Sequence, residues 1–137
     1  MIRIKPKLAV IVKGNSNYIN HPKIKTNADK FYNDIAKILM KNGYKIEFDD
    51  GLPGTHPNLN AQVWIGHSMG IDRLDRSEKI QNSKCKGSKQ PKFCKNKIKF
   101  VRLETKDSKK ENDYFSKSMK KSHYQLSEND KLILNSL

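Results

Sequence analysis

Apolar residues fall in short clusters along this chain, and the spacing within each cluster predicts an element. Lys7 to Lys13 reads Lys-Leu-Ala-Val-Ile-Val-Lys, a continuous apolar run bounded by Pro6 and Gly14. That is the pattern of a strand buried on both faces, as in a parallel sheet. Residues 15–26 are polar and read as loop. From Thr26 the apolar positions Ala28, Phe31, Tyr32, Ile35, Ile38 and Leu39 repeat every three or four residues, which predicts a helix ending at Asn42-Gly43. Tyr44, Ile46 and Phe48 then alternate with Lys45, Glu47 and Asp49, a second strand suited to a sheet edge. Ala61, Val63, Trp64 and Ile65 predict a third strand stopping at Gly66, followed by a short helix from Met69 to about Arg76. Ile98, Phe100, Val101 and Leu103 mark a fourth strand. Ser127, with Asp130 three residues on, opens a last helix carrying Leu132, Ile133 and Leu137. No internal repeat is visible.

Strands alternating with helices predict an α/β fold: a three-layer sandwich around a small, mainly parallel sheet of about four strands. The length of 137 residues suits a single domain, 1–137. The stretch at about 78–97 is lysine-rich and without periodicity, and is expected to be a basic loop insertion. No apolar run approaches the ~20 residues of a membrane span. The N-terminal apolar stretch lacks a small-residue cleavage site, so a cytoplasmic protein with no membrane association is expected.

Charge changes the picture. The formal net charge is +14, of which +5 falls before Ser77 and +9 after it. A field of this sign attracts phosphate-rich polymers without sequence preference. The segment Lys79–Lys99 is the candidate surface for nucleic acid or another polyanion. Cys85 and Cys94 lack CxxC or HxxxH spacing, so no metal site is expected. On a cytoplasmic reading they are two free thiols, with a disulfide across the loop as the alternative.

The candidate chemistry lies between the third strand and the helix after it. Val63 to Gly70 reads Val-Trp-Ile-Gly-His-Ser-Met-Gly, containing a complete G-x-S-x-G from Gly66 to Gly70. A serine on a sharp strand-to-helix turn needs glycines two before and two after, because side chains there would collide as the chain reverses. The strand, motif and helix together resemble the nucleophile elbow of the α/β-hydrolase superfamily. The resemblance implies a minimal α/β-hydrolase-like fold with Ser68 as nucleophile. It makes the backbone N–H of Met69 one oxyanion donor. Val10-Ile11-Val12-Lys13-Gly14-Asn15 resembles the strand and loop that supply the second donor, from Asn15 or Ser16.

A serine needs a general base. His67 adjoins Ser68, but successive residues at an elbow point apart, so His67 reads as a packing or pocket residue. His21 and His56 lie in proline-flanked loops. The superfamily's chain order favours His123, just before the last helix. For the acid, Asp107 is first choice, beyond the fourth strand, with Glu104 and Asp113 as alternatives. The resemblance thus implies an esterase- or amidase-like hydrolase acting on a small acyl substrate, with no cofactor required. The alternative is a basic nucleic-acid-binding or interaction protein on a catalytically inactive hydrolase-like fold. A nucleotide binder ranks last, because Gly51-Leu52-Pro53-Gly54 is neither G-x-G-x-x-G nor a Walker loop.

Overall fold

A computed structural model describes residues 7–13, 22–49, 58–67, 71–95, 97–103 and 126–137. Among them are four strands, β1 (Lys7–Val12), β2 (Tyr44–Asp49), β3 (Val63–Gly66) and β4 (Lys99–Arg102). Three helices accompany them, α1 (Pro22–Lys41), α2 (Ile71–Lys84) and α3 (Glu128–Asn135). The strands form one sheet in the order β2-β1-β3-β4, and all three pairings are parallel. The small parallel sheet and mixed α/β class are as expected.

Strand pleating sorts the core into two layers. Ala9 and Ile11 of β1, Val63 and Ile65 of β3, and Val101 of β4 share one cluster with Phe31, Tyr32, Ile35, Ala36 and Leu39 of α1 and Leu134 of α3. Val10, Val12 and Trp64 belong to a second cluster with Leu74 of α2. Helices thus cover both faces, which is why β1 is apolar at every position from Leu8 to Val12. β2 is an edge strand, and only its first residue, Tyr44, is fully buried. Its alternation in sequence reflects that one-sided environment.

Three local features differ from the expected ones. α1 begins at Pro22, not Thr26. Proline suits the first helical position, where its fixed φ is favourable and its missing N–H has no helical partner to lose. α2 runs on through Lys84, into the segment expected to be loop. Its buried face reads Arg73, Leu74, Ser77, Gln81, so the helical period is carried by polar residues. The thiols are not free: Cys85 and Cys94 form a disulfide, Cα–Cα 5.6 Å. The end of α2 and the one-turn 3₁₀ helix at Lys92–Lys95 bring the two cysteines together.

The helix ends behave as their residues dictate. Gly43 takes φ 91° and ends α1, its N–H donating to the Met40 carbonyl at 3.0 Å. Ser127 caps α3: its Oγ accepts from the Asp130 N–H at 3.0 Å, and the Asp130 carboxylate accepts from the Ser127 N–H. Among the described residues no helix is long and apolar enough to cross a membrane.

The disulfide closes a ring with a sequence separation of nine. Opening a ring of that size, by reduction or in Cys85→Ser/Cys94→Ser, is expected to lower stability by about 2–3 kcal/mol through the entropy of the unfolded chain. Urea denaturation with and without reductant measures the difference.

Candidate active site

The chain moves from β1 to β2 in one direction and from β3 to β4 in the other. Its connecting helices accordingly lie on opposite faces. The reversal falls between β1 and β3, and in open parallel sheets the crevice beyond the carboxyl ends of such a strand pair is where ligands bind. At that edge Val12 of β1 is in register with Gly66 of β3, and Gly66 with Arg102 of β4. Pairing continues one residue further. The Lys13 N–H donates to the Asp49 carbonyl and the Leu103 N–H to the Gly66 carbonyl, both at 2.8 Å.

Strand alternation assigns the residues at and just past this edge to two separate networks. Position 67 follows Val63 and Ile65 onto the α1 face. There the His67 ring stacks on Phe31 at 5.1 Å, and its Nε2 lies 2.9 Å from the Tyr32 hydroxyl. His67 is 2% exposed. Burial pushes its pKa down to about 4, with a hydrogen bond to its own backbone opposing the shift. His67 is therefore neutral at pH 7. Lys13 follows Ala9 and Ile11 onto the same face, and its ammonium lies 5.8 Å from the Tyr32 ring centroid and 4.6 Å from that of Phe48.

Asp49 falls on the opposite, α2 face. Its carboxylate accepts from Nε and Nη2 of Arg73 at 3.4 and 3.3 Å. Arg73 also lies over the Trp64 ring, 5.8 Å from its centroid. With side chains 6% and 13% exposed, Arg73 and Asp49 form a nearly buried ion pair. This pair ties the first turn of α2 to the end of β2. Further along α2, Asp75 and Glu78 both accept from the Arg102 guanidinium of β4.

Among the expected site residues, Gly66 is the buried last residue of β3. Ser68, Met69, Gly70, Asn15, Asp107 and His123 lie outside the described residues, as do Ser16, His21, His56, Glu104 and Asp113. Among the described residues no three metal-ligating side chains come together. Sequence reasoning passed over Lys13, Asp49 and Arg73. The available signal was position: Lys13 directly follows β1, Asp49 ends β2, and Arg73 lies in the first turn of α2, just after the G-x-S-x-G in sequence. No protein-family model, curated protein or solved structure matches the chain.

Two predictions test these networks. His67 binds a proton at pH 6.5 when unfolded but only near pH 4 when folded. Between those values the unfolded state holds more protons, so stability rises with pH there and is lost as pH falls from 6.5 toward 4, by roughly 3 kcal/mol. Denaturant titrations across this window are expected to show that loss, and His67→Gln to flatten it. Asp49→Asn removes the counter-charge from a nearly buried guanidinium. It is expected to cost about 3–5 kcal/mol by the same titration at pH 7.

Proposed function

We propose that the protein is a small serine hydrolase of the esterase or amidase type, with Ser68 as its nucleophile. One observation carries the reading. β3 ends at Gly66 and α2 begins at Ile71, so the G-x-S-x-G lies in the sequence between the end of a buried strand and the start of a helix. Gly66 itself lies at the carboxyl edge of the sheet, in register with Val12 at the end of β1, where the order of strands reverses. The strand order β2-β1-β3-β4 is compatible with a minimal hydrolase-like sandwich, in which β1 leads into the oxyanion loop and β3 into the elbow.

In this reading Ser68 Oγ attacks the acyl carbonyl carbon while His123 takes its proton. The tetrahedral oxyanion is held by the backbone N–H groups of Met69 and Asn15. Asp107 orients the imidazole. His123 returns the proton to the leaving alcohol or amine, and an acyl-enzyme remains. Water, deprotonated by the same histidine, then releases the acid and restores Ser68. His67 is unsuited to the base role: it is buried among aromatic rings with Nε2 against the Tyr32 hydroxyl. No cofactor enters the scheme.

A fluorophosphonate probe tests this directly. Wild-type protein is expected to label, and Ser68→Ala to lose labelling altogether. His123→Ala is expected to slow labelling by about 10²–10⁴, the usual worth of a general base. Absence of labelling in folded wild-type protein, or undiminished labelling in Ser68→Ala, overturns the reading.

A further inference from the structure

Away from the sheet edge, the segment 84–99 has an unusual charge distribution. It holds seven lysines, at 84, 86, 89, 92, 95, 97 and 99, and no Asp or Glu. All seven side chains are exposed. Among the described residues none of them forms an ion pair with a carboxylate, whereas Arg73, Arg102 and Lys131 do. Seven like charges in so short a segment repel one another and would spread a flexible loop.

The disulfide opposes that spreading. Cys85 stands between Lys84 and Lys86, and Cys94 precedes Lys95. With the cysteine Cα atoms 5.6 Å apart, the Cα of Lys95 lies within about 13 Å of those of Lys84 and Lys86. Gln90 reinforces the ring, its Nε2 donating to the Cys85 carbonyl at 2.7 Å. The Cys94 N–H donates to the Pro91 carbonyl at 3.0 Å.

We propose that this disulfide-closed lysine cluster is a docking surface for the phosphodiester backbone of nucleic acid. A duplex carries roughly seven or eight charges over 13 Å of its axis, a density that a cluster of this size and sign complements. Lysine ammoniums meet phosphates as point charges, so the surface reads no base sequence. A lipid surface is the poorer match. Interfacial membrane binding uses exposed apolar side chains beside the cations. The large exposed apolar residues among those described are Met40, Phe48 and Leu132, all outside the segment. The inference stands independently of Ser68.

The test is fluorescence anisotropy with a labelled DNA duplex of about 20 bp, over a series of salt concentrations, on the oxidised full chain. Wild type is expected to bind with log K falling linearly in log salt. Replacing Lys89, Lys92, Lys95 and Lys97 together by Gln is expected to weaken binding at least ~10-fold. The slope is expected to become shallower by about 0.9 for each phosphate no longer neutralised. A control replaces Lys30, Lys37, Lys41 and Lys45, on α1 and β2, by Gln with the same change in net charge. It is expected to weaken binding less than ~3-fold, because charges beyond a Debye length are screened. Cys85→Ser/Cys94→Ser, with the charge untouched and the fold checked by circular dichroism, is expected to bind several-fold more weakly. Equal weakening in the two lysine variants overturns the proposal, as does undiminished binding by the cysteine variant. Salt-insensitive or absent DNA binding also overturns it, as does binding to anionic phosphatidylglycerol vesicles with none to DNA.

Discussion

Parallel strands cannot be joined by a tight turn, so each pairing in a parallel sheet requires a crossover, and each crossover places a covering layer on one face. β1 bears the full weight of this constraint. It is paired on both edges, with β2 and β3, and its residues from Ala9 to Val12 are buried on both faces. The helices lie where they do because β1 has two faces to cover. The strand order reverses beside it, between β1 and β3.

The same alternation that divides the core also divides the chemistry. At the carboxyl ends of the strands, period-two patterning sends Lys13, Phe48 and His67 toward α1, and Asp49 toward α2. One side holds a neutral imidazole against Phe31 and Tyr32, with the Lys13 ammonium over the Tyr32 and Phe48 rings. The other holds a carboxylate–guanidinium pair that anchors the start of α2. In the sequence, Ser68 falls between these two supports. His67 ties down the residue that follows β3, and Arg73 ties down the first turn of α2.

The strands were the most legible part of the sequence, because each rests on a local signal. The unbroken Leu-Ala-Val-Ile-Val run marked a doubly covered strand, and the alternation in Tyr44–Asp49 marked an edge. The Ser127–Asp130 cap was equally local. The later turns of α2 were hidden, because a helix usually announces its buried face with apolar residues and this one uses Ser77 and Gln81. The start of α1 was hidden because Pro22 resembles a loop residue unless it is known to be the first in a helix. The state of the cysteines was inferred from a cellular setting, whereas it depends on where α2 ends. The G-x-S-x-G was visible as a pattern. The ion pair between Asp49 and Arg73 was not, because their proximity comes from the sheet rather than from the chain.

The order in which the strands appear along the chain bears on synthesis. β1 is made first, yet its inner partner β3 follows some fifty residues later, Ala9 pairing with Val63. Until then Leu8–Val12 is an uncharged, β-branched segment with one edge open, the kind of sequence that pairs readily with copies of itself. Lys7 and Lys13 flank it directly. On a nascent chain, two cations bracketing a sticky strand keep neighbouring copies apart during that interval.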